Sequence, residues 1–483
     1  MMPAIPPPPD DRALPPDMML VLDPRVTSWS EGAILIGGSP WRISRLAARA
    51  RAVVADLKRR GAAGLRAGSD LAVFRELVDR GFAFPLPGPN RGASSCSVLV
   101  PAKDRAQSLE RCLASLHSQD ITVIDDGSVD AATVEAVANR YRARLIRHPH
   151  NRGPAAARNT GLRETTSEFV AFLDSDCVAP TGWPQSMLHH FNDPTLAAVA
   201  PRVRPGRPFS TAIERYESAR SALDMGRHRE LVKPGARLGF VPTAALVVRR
   251  SALGGFDERL RLGEDVDLVW RLHEAGWLVR YDPSVTVTHE TRSNPVAWLK
   301  RGFDYGTSAG ALESRHPGNL TPARLSAWNL TALALLAAGQ PAGAGVVIAA
   351  ETIALARQLH PMPDRTRLAV EVVAKGFVAD TVAIGHLLRQ EWWPIGAAAL
   401  ATVHKSRISR VAALCILAPI LWEWTTQRPP IDPARYLALR LMAGAAYGTG
   451  VIANSTCSRT TAPLTPAVHL PRALTPRRKR LSG

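Results

Sequence analysis

The 483-residue chain is long enough for two or three domains, and with 46% apolar residues most of it can bury a core. Sixty Lys and Arg against 42 Asp and Glu give a formal charge of +18, which points to a polyanionic partner: nucleic acid, anionic lipid headgroups or a phosphorylated small substrate. The five cysteines (Cys96, Cys112, Cys177, Cys415, Cys457) lack paired spacing, which argues against a disulfide framework or a zinc site and fits a reducing, cytosolic setting.

Residues 1–17 are dense in proline, which predicts a disordered tail, and they lack the basic and apolar regions of a signal peptide. Residues 18–90 read as a small module. MLVLDPRVTSWSEGAILIGG (19–38) alternates like a hairpin, with turn signals at Asp23-Pro24 and Glu31-Gly32. Ser39-Pro40 predicts a helix start, continued by Ile43, Leu46, Ala47, Ala50, Val54 and Leu57. A second amphipathic helix spans 71–81, and PLPGPNRG (85–92) reads as a linker.

An α/β rhythm follows. Strands are predicted over 97–104, 121–126, 144–149 and 169–176, with helices of about a dozen residues between them. That alternation predicts a largely parallel sheet. From about residue 320 the composition turns alanine- and leucine-rich, with helices over 326–356, 368–388, 395–424 and 434–454. Beyond Asp432 only basic charges remain, ending in PRRKRLSG (476–483).

Ligands of open α/β sheets bind beyond the carboxyl ends of the strands. Asp125 and Asp126 end one predicted strand; Asp174 and Asp176, in FLDSD, end another. Four carboxylates at one sheet edge repel strongly, and a Mg²⁺ or Mn²⁺ ion with substrate phosphates would neutralise them. An Asp-Ser-Asp alone is more often an ordinary turn; the surrounding pattern favours the metal.

The run PAKDR, VIDDGSVD, NRGPAAARNTGL, FLDSDC and GEDVDLVWRL resembles the inverting family 2 glycosyltransferases over about residues 96–305. The resemblance implies a GT-A fold, a Rossmann-like mixed α/β sheet binding a nucleotide-diphospho-sugar. It puts the nucleotide against Pro101 to Asp104 and its uracil or ribose on Asp126, with Asp125 beside it. The segment with Arg152 and Arg158 lies under the nucleotide-sugar, and Asp174 and Asp176 hold the metal and diphosphate. Asp265 becomes the general base, with Glu264 in reserve, since inversion needs a carboxylate to take the acceptor's proton. Asp267 faces elsewhere. His289, after a predicted strand, is either a structural histidine, as a lone one at a strand end more often is, or, as in several related enzymes, a further ligand of the metal or diphosphate, its imidazole favouring Mn²⁺. Cys177 has no base nearby and reads as packing. Lys300 and Arg301, in WLKRGFDYGTSAG (298–310), can meet phosphates or form a solvated face.

The whole-chain arrangement, including LDPRV…GGSPWRISRLA, is similar to the mycofactocin-system branch of that family. This implies glucose from UDP-glucose, β-linked to premycofactocin and repeated to an oligoglucoside tail; a membrane enzyme extending a lipid-linked or cell-wall glycan is the alternative. The expected domains are a tail (1–17), a winged-helix-like module (18–90), the GT-A domain (91–318), a helical region (319–456) and a basic disordered tail (457–483). The module loosely resembles peptide-recognition winged helices. Cytoplasmic residence at the inner face of an anionic membrane fits the basic end; a nucleic-acid partner is not expected.

Overall fold

In the computed structural model, residues 4–470 are described, apart from 16, 65–69, 87, 89–94, 117–119, 292 and 363. The chain forms two compact units. Of the described residues, one holds those up to 208 together with 220–291; the other holds 209–219 and 293–470.

The first unit is built on a nine-stranded mixed sheet. Four strands are parallel, in the spatial order Arg144–Arg147, Asp120–Asp125, Cys96–Ala102 and Phe169–Leu173. Their middles are apolar runs because helices cover the sheet. Ala106–Ala114, Ala131–Arg140 and Pro154–Arg163 turn Leu109, Val134 and Ala156 inward. The largely parallel expectation fails beyond Phe169–Leu173. Ala245–Arg249 runs antiparallel to it and to Leu196–Pro205, which in turn runs parallel to Leu278–His289. Strands buried on both faces carry no polar alternation, so their direction cannot be read from composition.

The N-terminal residues also belong to this unit. They form two three-stranded sheets and the helices Ala48–Arg60 and Asp70–Asp79. The turn at Glu31-Gly32 joins Thr27–Trp29 to Ile34–Gly37 as expected, but Met19–Leu22 pairs with Ala83–Pro85 instead. No helix starts at Ser39-Pro40. Arg42–Arg45 is a strand, because the fully buried Ile34–Gly37 needs a partner on its second edge. Ser39 Oγ donates to the Leu231 carbonyl at 2.7 Å, and Arg75 meets the buried Asp193 at 2.9 Å, so the module is fixed to the sheet. Residues 4–15 are not a free tail: Leu14 is 1% exposed, and the Trp277 indole donates to the Pro6 carbonyl. The linker at 85–92 lies mostly outside the described residues.

The second unit is helical: Pro295–Thr307, Ala309–Arg315, Ala327–Ala337, Pro341–Gln358, Arg365–Arg389, Trp393–Ala401, Arg407–Gln427 and Pro433–Cys457. It begins earlier than the expected boundary at 318, because Pro295–Thr307 packs along Pro433–Cys457 through glycines. A Cβ on Gly306 would overlap the Tyr447 carbonyl, and one on Gly450 the Phe303 carbonyl. Ala467–His469, in the expected basic tail, pairs with Arg324–Ser326; residues 471–483 lie outside the described residues. Among the described residues, Arg407–Gln427 and Pro433–Cys457 are long and apolar enough to cross a membrane by length and composition.

Candidate active site

The loops after the parallel strands are fastened to one another. Pro101 stands in register with Ile124. Asp104 follows with φ 56°; its N–H donates to Ser128 Oγ at 2.9 Å, and its Oδ1 accepts from the Val129 N–H at 2.7 Å. Asp125 is 0% exposed. Its Oδ1 accepts from the Ser128 N–H at 2.9 Å, and its Oδ2 lies 3.3 Å from Arg147.

Asp126 organises the next loop. Its two oxygens accept from the Arg152 and Gly153 N–H groups, both at 2.8 Å, and Oδ1 also meets His148 Nδ1 at 2.8 Å. His148 is buried and reaches Thr160 Oγ1 with its other nitrogen at 3.0 Å. Gly127, at φ 72°, lets this loop close in, since a Cβ there would stand 2.6 Å from the His150 carbonyl carbon. The Arg152 side chain pairs with Glu258 at 3.1 Å.

Asp174 and Asp176 leave the strand Phe169–Leu173. Asp174 Oδ1 accepts from Arg158 at 2.8 Å. Asp176 lies between Arg105, 3.2 Å from its Oδ2, and His289 Nε2, 3.3 Å from its Oδ1. His289 ends the strand Leu278–His289. Arg158 also donates to Glu264 at 2.8 Å and is only 3% exposed. Arg158, which the resemblance puts under the nucleotide-sugar, is a buried bridge between two acids.

Glu264 and Asp265 open the helix Glu264–Glu274 behind Gly263, whose φ is 82°. Asp265 Oδ1 accepts from the Val266 N–H at 2.8 Å. Desolvation, and then the neighbouring Glu264 charge, push the Asp265 carboxyl up to about 7. A carboxyl poised near neutrality suits proton abstraction. Asp267 is buried and held by Arg271 at 2.7 Å, a structural acid as expected. Cys177 is packed, and burial pushes its thiol well above the ordinary range. Lys300 pairs with Asp304, and Arg301 binds the Tyr305 hydroxyl at 2.8 Å.

Each of the four strand-end acids therefore has a cationic or hydrogen-bonding partner of its own within the fold. Asp125 faces Arg147, Asp126 takes two backbone N–H groups and His148, Asp174 has Arg158 and Asp176 has Arg105. Charge repulsion alone is a weaker argument than the sequence suggests. A metal still fits the donor set. Among the described residues no three His, Cys, Asp or Glu side chains gather, but Asp176 and His289 face each other. Two protein ligands suit a cation that draws its others from a diphosphate.

His148 and Arg105 are the residues that sequence reasoning missed. His148 meets Asp126 across 22 positions and left no local signal. Arg105 stands in PAKDR beside Asp104, so its neighbour already marked the place.

Residues 97–254 match the family model for glycosyl transferase family 2. The chain is 36% identical over 454 residues to the pre-mycofactocin glycosyltransferase of Mycobacterium tuberculosis strain H37Rv, covering 91% of this chain and 95% of that protein. It is 25% identical over 212 residues to the glycosyltransferase AglE of Haloferax volcanii, covering 41% of this chain and 67% of that one. The mannosyltransferase PcManGT of Pyrobaculum calidifontis, solved with GDP-Man and Mn²⁺, is similar at a TM-score of 0.40 and 17% identity over 75% of this chain and 90% of that one. The family match and the relative covered over nearly its whole length define a glycosyltransferase, an enzyme joining a sugar from an activated donor to an acceptor. The chain belongs to glycosyltransferase family 2, similar over nearly its whole length to a pre-mycofactocin glycosyltransferase.

Proposed function

We propose that the enzyme transfers glucose from UDP-glucose to premycofactocin with inversion, forming a β-linkage, and repeats the step to build an oligoglucoside. Asp265 carries the chemistry: a carboxyl pushed to about 7 at a helix start, next to the Glu264–Arg158–Asp174 bridge. The acceptor rests on likeness over 91% of the chain to a protein of that name.

Asp265 takes the proton of the acceptor hydroxyl as that oxygen attacks the sugar C1. The bond from C1 to the diphosphate oxygen breaks on the opposite face, and UDP departs with the bonding electrons. Arg158 keeps Glu264 and Asp174 in place. The Asp104, Asp125 and Asp126 loops shape the nucleoside pocket beside Pro101, and Arg152 lies on its rim. Asp176 and His289, with Asp174 adjoining, would hold Mn²⁺ or Mg²⁺, which supplies Lewis-acid stabilisation of the leaving diphosphate.

The enzyme works at the cytoplasmic side of an anionic membrane. Two long apolar helices and the exposed Ile408, Leu414 and Trp422 support that placement. The same helices support the second reading, in which the acceptor is a lipid-linked or cell-wall glycan. Mass spectrometry of purified protein with Mn²⁺, UDP-glucose and premycofactocin tests the proposal. A ladder of hexose additions that EDTA abolishes is the expected result. UDP release without additions would reject the acceptor and keep the chemistry.

A further inference from the structure

We propose that Arg105 is an exchangeable counter-ion of the diphosphate site. It holds the cation's place on Asp176 in the donor-free enzyme and moves to the donor's diphosphate when the cation binds. The inference rests on the reading that Asp176 and His289 hold a divalent cation.

The geometry separates two arginines that both neutralise Asp-Ser-Asp acids. Arg158 is 3% exposed and locked by Asp174 and Glu264 at 2.8 Å each, so it has nowhere to go. The Arg105 side chain is 44% exposed, and its Nη1 donates to Asp176 Oδ2 at 3.2 Å. Its backbone is anchored by the neighbouring Asp104, bonded to Ser128 and Val129. The guanidinium can therefore swing about a fixed base.

A cation seated between Asp176 and His289 would meet Arg105 on the same carboxylate, and two positive charges there repel. The outgoing guanidinium carries a planar fork of N–H donors that matches phosphate oxygens. Half-exposed ion pairs are weak, so the exchange costs the cation at most about fivefold in affinity. A charged hydrogen bond to diphosphate is stronger and returns about tenfold in donor affinity.

These signs are opposite, which makes the test sharp. Mn²⁺ binding to the donor-free full chain is measured by electron paramagnetic resonance for wild type, Arg105→Ala, Arg105→Lys and Asp176→Asn. UDP binding is then measured at saturating Mn²⁺ by calorimetry. Arg105→Ala should bind Mn²⁺ up to about fivefold more tightly and UDP about tenfold more weakly, with Arg105→Lys between it and wild type. Asp176→Asn should lose Mn²⁺. Unchanged or weaker Mn²⁺ binding by an Arg105→Ala protein with a normal thermal melt overturns the inference while leaving the metal site standing. Absence of Mn²⁺ uptake by wild type overturns both.

Discussion

In the unit built on the sheet, charges are brought together and matched. In the helical unit, backbones are brought together and side chains are removed. Arg158 sits between Asp174 and Glu264, and Asp193 between Arg75 and Arg280, each buried and each paired. The helices meet instead where Gly306, Gly385, Gly396, Gly448 and Gly450 leave no room for a Cβ. Buried charges are costly unless paired, and the sheet unit pairs these two sets within 3 Å. Small residues make close helix contacts and leave large apolar side chains outward. Catalysis is therefore to be sought in the first unit and docking in the second.

Substitutions test that contrast. The largest effect is expected for Asp265→Asn, which should lower kcat by about 10²–10⁴-fold while donor binding stays near normal, as stopped-flow and calorimetry would record. Its stability should move the other way. A carboxyl whose folded pKa is raised destabilises the fold as pH rises from its ordinary range toward about 7. Asp265→Asn should therefore melt above wild type at pH 8, with the gap closing by pH 4.

Arg158→Met should come next, costing about 3–5 kcal/mol in denaturant unfolding, because it strands two acids that share one buried cation. In the helical unit, Gly306→Ala should cost about 1–3 kcal/mol through overlap with the Tyr447 carbonyl. Gly345→Ala probes the same point from the other side. Nothing lies within 4 Å of a Cβ there, so it should be neutral or stabilising by up to about 1 kcal/mol. A loss at Gly345 as large as at Gly306 would deny that close approach is the helical unit's organising feature.

Much of this was legible in the sequence. Strand-end acids announce themselves because an apolar run stops at a charge, so Asp125, Asp126, Asp174 and Asp176 stand out from the residue pattern alone. The Glu264-Asp265 pair was marked by the resemblance to family 2 glycosyltransferases and not by the residue pattern. Partners were not legible. That Arg158 serves two acids and His148 serves Asp126 depends on contacts across 106 and 22 positions, which no local pattern encodes. The turn from parallel to antiparallel pairing at Ala245–Arg249 was hidden for the same reason. Ser39-Pro40 misled because an N-cap signature also serves a turn, and the demand of Ile34–Gly37 for a second neighbour outweighed it.

Whether Asp265 is the base is decided most directly by the pH dependence of kcat/KM for hexose transfer, in wild type and in Asp265→Asn. The wild-type rate should rise through an ionisation near the carboxyl's value of about 7 and then level off, and the variant should keep only a small residual rate without that step. A variant that retains both the rate and the ionisation would contradict Asp265 as the base, and a wild-type profile flat between pH 6 and 8 would contradict its raised carboxyl.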